Sequence, residues 1–527
     1  MEQTIIWARE QISSCLHLHK HRAIQVNGRP TRLLDVDPDG KGTDVKLQDF
    51  SSISPDTSIE YAALSYCWGG HQPECITTPE TLNRNLHHIW DLPQTFRDAV
   101  KVTRGLGLKY LWIDSICIIQ GDENDWRREA GRMFDVYRGS KVTLAAVFGE
   151  DSRSGLRTTT IRQQTRLVAN LTLGQSTYPL YFRPHHYLWN PKTGQHTHEL
   201  SHSSPLLTRA WAYQERILSP RVLFFTESEV IFQCACEVKC EYDRKGISLA
   251  TAELMADDKK METIQGLSHE EYFTEYLFKI QQTWRRLVVW DYSILDLTDR
   301  RDKLAALGAI AEQFQRVRPA SRYLAGLWSN YLLEDLMWTS NRYHDMEKPD
   351  RPFSLPTWSW ASMRSGVVYH LPLDGGRHRA EVVEATCIYA KDNRFGVLEK
   401  STLILSGKML SCALHGDGKL YEPNSPGGGA WECLSSYTLW DSGESGYPQD
   451  QEVYLLLLVD YGLEGVPSSD ACGLILNAED HNADPKIFSR LGVFLEMTFD
   501  CADEKKKYYP LDRAFKERGI QEKIEIR

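Results

Sequence analysis

The chain has 527 residues, 42% hydrophobic and 25% charged, an ordinary balance for a soluble globular protein long enough for several domains. Its net charge of -10 excludes a general nucleic-acid-binding role, which needs a basic footprint. The longest apolar run, Val453–Val459, is far too short for a bilayer span, and charges interrupt residues 1–10 where a signal peptide is apolar, so a cytoplasmic protein with no membrane span is expected.

Residues 1–58 read as an N-terminal extension of the core, with a strand around Thr31–Val36 and a Gly/Asp-rich loop at Asp37–Thr43. The segment 59–240 reads as an α/β domain. It opens on a strand, Tyr61–Cys67, ended by Trp68-Gly69-Gly70. Pro93 suits the first turn of a helix whose apolar positions Phe96, Ala99, Val100, Thr103 and Leu106 follow the helical period, and Gly107 suits its C′ position. Tyr110–Ile119 is nearly all apolar, as expected of a strand covered on both faces. Asp125 suits the cap of the next helix, and Val142–Phe148 is a third strand. Strand, helix, strand, helix, strand implies a parallel sheet. Arg209–Leu218 follows as a helix, then strands at Arg221–Thr226 and Val230–Cys234. Residues 241–350 look mainly helical and 351–527 β-rich, with strands such as Thr402–Leu410 and Glu452–Asp460.

Ligands of α/β sheets usually bind at the turns after the strands. Tyr66 and Trp68 follow the first strand; Asp114, Ser115 and Gln120 lie within or after the second. They can line one cleft, or serve as core aromatics and loop caps. On the central helix, Trp126, Ala130, Met133, Phe134 and Tyr137 share an apolar face, with Glu129 at its edge. There Glu129 can reach a cleft, or pair with Arg128 or Arg132 at the rim. Arg209, Trp211, Gln214, Glu215 and Arg216 can complete the cleft or form ion pairs that dock their helix.

The metal-ligand patterns are weak. His198-Glu199-Leu200-Ser201-His202 spells His-Glu-x-x-His, but without helical periodicity around it. Cys234-Ala235-Cys236 and Cys240 have no fourth ligand at suitable spacing, so no metal is expected. Cys67 and Cys117 sit in apolar runs with no nearby His to activate them as nucleophiles.

Three blocks resemble fungal heterokaryon-incompatibility (HET) domains: Tyr61-Ala-Ala-Leu-Ser-Tyr-Cys-Trp-Gly69, Tyr110–Gln120 with Asp125, Trp126, Glu129, Met133 and Tyr137, and Thr208–Ser219. Weaker similarity to long HET proteins continues through Pro356-Thr-Trp-Ser-Trp-Ala361. The resemblance implies a fungal protein of non-self recognition and triggered cell death, with a core similar to Toll/interleukin-receptor (TIR) domains, hence flavodoxin-like. Some TIR domains cleave NAD at its nicotinamide–ribose bond with a helical Glu. By that likeness Glu129 is the catalytic residue and Trp126 its substrate-binding neighbour, while Tyr66, Trp68, Asp114, Ser115 and Gln120, from their places after the strands, can bind the substrate beside it; NAD is then a substrate, and no cofactor is needed. Two other readings stand beside it: a non-catalytic signalling module that binds a protein partner or its own copies, and a HET-like protein adapted to a small-molecule reaction in secondary metabolism.

Overall fold

A nine-stranded mixed sheet organises the first of two compact units, Met1–Phe273, in the computed structural model. The structure describes residues 1–19, 28–52, 59–70, 72–89, 91–156, 166–173, 176–182, 204–227, 229–241, 247–248, 280–341, 355–364, 366–369, 376–390, 395–415, 419–421, 437–441, 451–461, 471–495 and 511–527.

The strands of the first unit are β1 (Arg32–Asp35), β2 (Lys46–Asp49), β3 (Tyr61–Ser65), β4 (Tyr110–Trp112), β5 (Val142–Ala146), β6 (Arg166–Leu173), β7 (Ser176–Phe182), β8 (Arg221–Phe225), β9 (Val230–Cys234), β10 (Glu237–Cys240) and β11 (Ile247–Ser248). The helices are α1 (Glu2–Leu18), α2 (Leu82–His87), α3 (Gln94–Gly105), α4 (Asp114–Cys117), α5 (Glu123–Ala130), α6 (Met133–Gly139) and α7 (Ala210–Leu218). At the sheet's centre β4, β3, β5 and β8 run parallel in that order. The first parallel strand, β3, therefore lies between the second and the third, as in doubly wound sheets that bind ligands beyond the carboxyl ends of such strands. Antiparallel strands extend both edges, β1 and β2 beyond β4, and β9, β10 and β11 beyond β8. The expected parallel sheet is thus the middle of a larger mixed one, while β6 and β7 pair separately. Every residue of β3, β5 and β8 is buried, which explains their mainly apolar character; Ser65, Thr143 and Arg221 are the buried polar exceptions.

Helix α3 buries Phe96, Ala99, Val100 and Thr103, and Gly107 adopts a φ of +77° just past its end, as read from the sequence. Three expectations need correction. Tyr110–Ile119 is a strand only as far as Trp112; the Asp114 carboxylate then accepts the Ser115 N–H at 2.6 Å and the chain turns into α4. A continuous apolar run does not distinguish a strand from a buried helical turn. The cap of α5 is Asp122, which accepts from the N–H groups of Asn124 and Asp125, whereas Asp125 is buried inside the helix. The central helix also breaks at Gly131, a weak helix former, into α5 and α6. Separated from α6, α5 buries Asp125 and Glu129, one turn apart, and leaves Trp126 40% exposed. The continuous stripe running from Trp126 to Tyr137 therefore does not form.

The second unit, Thr274–Arg527, holds the described helices from Trp284 onward together with the β-rich region. Leu398–Leu414 pairs with Gln451–Asp460 and with Ile520–Ile526, and the pairings through Ala471–Asp480 and Lys486–Leu495 close a ring of strands. Its core includes Cys412, Val453, Leu455, Ile475 and Phe494, with Leu511, Ala514 and Phe515 from a short C-terminal helix. The helical part buries Trp284, Trp328, Trp338, Trp358 and Trp360. Burial pushes the Lys303 amine, which donates to the Met363 carbonyl at 2.6 Å, down to about 7. Among the described residues no helix is long and apolar enough to cross a membrane.

Candidate active site

Past Ser65, the last residue of β3, the chain passes through Tyr66, Cys67 and Trp68. Gly69 turns it with a φ of +64°, and a Cβ there would lie 2.5 Å from the Asp151 Cβ, so both backbone conformation and close packing require glycine. Beyond β4 the chain enters α4 through Asp114 and Ser115. The two exits are tied together. The Trp68 indole Nε1–H donates to Asp114 Oδ2 at 2.7 Å, and the Tyr66 hydroxyl donates to Ser115 Oγ at 2.9 Å. Gln120 Nε2 donates to the Asp114 carbonyl at 3.3 Å, while its backbone N–H reaches Thr77 O at 2.7 Å. Tyr66, Trp68, Asp114, Ser115 and Gln120 thus form one set at the carboxyl ends of β3 and β4.

Helix α7 adds a second carboxyl group. Buried Glu215 accepts hydrogen bonds from the Ser65 hydroxyl and from Tyr137. Arg209, which precedes α7, donates to the Tyr66 carbonyl at 3.3 Å, and its charge favours the ionised forms of both Asp114 and Glu215. Two carboxyl groups and one guanidinium cannot all be charged at low cost in a buried cluster. Burial raises the Glu215 carboxyl to about 7; the Ser65 hydrogen bond opposes the rise and the negative charge of Asp114 adds to it. Burial also raises Asp114, against the Trp68 and Ser115 hydrogen bonds and Arg209. Asp114, Trp68, Gln120 and Arg209 keep partial exposure, so the cluster has an edge open to solvent.

Glu129 belongs to a different hydrogen-bond network. It is 1% exposed and accepts from the Thr31 hydroxyl at 2.6 Å and from Arg128 Nε at 3.3 Å. Its second oxygen is buried with no hydrogen-bond partner among the described residues. Beside it Asp125 forms ion pairs with Arg32 and Arg128 and accepts the Ile119 N–H at 2.8 Å; Arg32 also donates to the Cys117 carbonyl at 2.8 Å. This network fastens α5 to β1 and to the end of α4. Glu129 shares no hydrogen bond with the Asp114 set, and Trp126 faces outward from α5. Of the residues proposed from sequence, five are joined in one set, while Glu129 is bonded into the α5 network and Trp126 is exposed on α5.

Ser65 was not singled out in the sequence, Tyr137 was named only as an apolar-face and motif residue, and Glu215 was left between cleft and docking roles. Each lies inside a motif block, and that was the only available signal. Burial raises the Cys117 thiol to about 12 and raises Cys67 as well, which keeps both protonated and poor nucleophiles. The His198–His202 motif lies outside the described residues.

Residues 61–215 match the family model described as Heterokaryon incompatibility protein (HET). No curated protein and no solved structure matches the chain. The matched span begins with β3 and ends at Glu215, so every member of the carboxylate cluster falls within it. The chain carries a heterokaryon-incompatibility (HET) domain.

Proposed function

We propose that this protein acts in heterokaryon incompatibility, in non-self recognition and the cell death it triggers, and that its HET domain is a TIR-like, flavodoxin-like core that hydrolyses the nicotinamide–ribose bond of NAD. The observation that carries the chemical part is the meeting of Asp114 and Glu215, from different motif blocks, beside Arg209 at the carboxyl ends of the parallel strands. Nicotinamide departs from a pyridinium as a neutral molecule, so the leaving group needs no strong general acid. The C–N bond breaks with its electron pair going to the ring nitrogen, and the ribosyl carbon gains oxocarbenium character. Asp114, held by Trp68 and the Ser115 N–H, supplies negative charge to that centre. A water oxygen attacks the ribosyl carbon, and its proton passes to Glu215, whose value near 7 suits a group that takes and releases protons at neutral pH. The products are nicotinamide, ADP-ribose and one proton. In this reading Glu129 is a positioning residue that braces α5.

The test is release of nicotinamide from NAD by the purified full-length chain. Asp114→Asn and Glu215→Gln are expected to abolish release. Glu129→Gln is expected to keep the pH profile of the wild type at reduced rate. Loss of all activity in Glu129→Gln, with full activity in the other two, would return the catalytic role to Glu129. No release by the wild type would favour a non-catalytic interaction module, a reading supported by Trp126 and Phe148, which are 40% and 44% exposed.

A further inference from the structure

Outside the matched span 61–215 but within the first unit, α1 ends on two metal-ligating side chains one turn apart. Cys15 is fully buried and His19, at the C-cap, is half-buried; the His19 N–H donates to the Cys15 carbonyl at 3.0 Å. This spacing puts both on one helix face. That face meets Cys234, the buried last residue of β9. His19 Nδ1 and Cys234 Sγ are 3.5 Å apart, and the Cys15, His19 and Cys234 donor atoms all lie within 4.8 Å of one another.

We propose that Cys15, His19, Cys234 and Cys236 form a structural zinc site that clamps α1 to β9. Tetrahedral zinc holds thiolates at about 2.3 Å and imidazole nitrogens at about 2.1 Å, which places two ligand atoms roughly 3.6 Å from each other. The His19–Cys234 separation already meets that condition. Cys236 follows Cys234 by two residues, is half-buried, and turns back so that its N–H donates to Cys234 Sγ at 3.4 Å. Such N–H to sulfur bonds orient and stabilise ligating thiolates. Three thiolates and one imidazole around a dication leave one net negative charge. Arg221, paired with Cys234 across β8 and β9, balances it by donating from Nε to Cys15 Sγ at 3.2 Å. Sulfur and imidazole donors in this proportion favour zinc over the hard cations magnesium and calcium. The site ties together segments more than two hundred residues apart, Cys15 and Cys234, which is why local spacing around Cys234 gives no sign of it.

The full-length chain, purified with a non-chelating reductant, is expected to carry about one zinc per molecule by inductively coupled plasma mass spectrometry. Cys15→Ser and Cys234→Ser should each lower the zinc content at least about tenfold, whereas Cys387→Ser, in the second unit, should leave it unchanged. Since the first two variants can fail to fold, the wild type is also stripped with chelator and titrated with cobalt(II). A saturating thiolate-to-cobalt charge-transfer band at about one equivalent, weakened in His19→Ala and retained in His19→Cys, is expected. Metal-free wild type that gives no such band, or Cys15→Ser and Cys234→Ser proteins with wild-type zinc content, would overturn the proposal.

Discussion

Replacing Glu215 by Gln separates the electrostatic cost of the carboxylate cluster from its packing. Gln keeps the size of the side chain and a carbonyl oxygen that can accept from Ser65, but it cannot ionise. In the folded protein the Glu215 carboxyl is held at about 7, against an ordinary value of 4.5. A raised carboxyl favours the folded state while protonated: that stability is complete below the unfolded value and is lost as pH rises through the folded one. With these two values, the wild type is expected to lose about 2–3 kcal/mol relative to Glu215→Gln between about pH 5 and pH 8. Asp114 is raised in both proteins, so its contribution largely cancels in the difference. Hydrogen exchange of peptides covering β3 and α7 reads the opening of this region directly, without requiring the two units to unfold together. Urea denaturation followed by tryptophan emission gives a second measure. If protection of the wild type and of Glu215→Gln changes in parallel over this range, Glu215 is not held near neutrality and the acid–base role assigned to it fails.

Further predictions follow from neighbouring groups. Trp68→Phe removes a donor from Asp114 and is expected to move the acidic limb of the nicotinamide-release profile up by roughly one pH unit. Asp125→Ala leaves Arg32 buried without its carboxylate and should cost about 3–5 kcal/mol in urea denaturation of the first unit. Gly69→Ala, at positive φ against the Glu150–Asp151 turn, should cost about 2 kcal/mol or more in the same assay. Lys303 is shifted downward, so its stabilising share is present above its unfolded value and is lost as pH falls toward 7. Between about pH 9 and pH 6.5 the second unit should lose roughly 2–3 kcal/mol that Lys303→Met does not lose, as read by hydrogen exchange of peptides around Lys303.

Apolar period and turn residues located the central strands and α3 because these elements are set by local patterns: buried β3 and β5, and Gly107 at the end of α3. The segment Asp114–Cys117 was misread because a single turn buried along Ser115–Cys117 carries no amphipathic signature. The face of α5 was misread because Arg32, far away in sequence, draws Asp125 inward and carries Glu129 with it. Ion pairs between distant segments leave no trace in periodicity. For the same reason the motif blocks identified Tyr66, Trp68 and Asp114 as candidates but gave no means of joining them to Glu215, and nothing in the local pattern draws Cys15 and His19 toward Cys234.

The carboxylate cluster also bears on why such a site persists. An apolar cluster of the same volume would usually match or exceed a buried ionic one in stability, because desolvation offsets most of the Coulombic gain. Here burial, with the negative charge of Asp114 added to it, raises Glu215 from 4.5 to about 7, a standing cost at neutral pH. A pure docking network would gain by exchanging Glu215 for Gln, keeping the Ser65 hydrogen bond without the charge. Retaining an ionisable group at that position is what a proton-transferring site requires, and improved stability with lost activity in Glu215→Gln is the signature of that trade. The Asp125–Glu129–Arg32–Arg128 network differs, because its two carboxylates are matched by two guanidinium groups and Asp125 also accepts the Ile119 N–H. Its removal should destabilise alike across the pH 5–8 range, and this contrast separates the part of the domain that holds the fold from the part proposed to carry the chemistry.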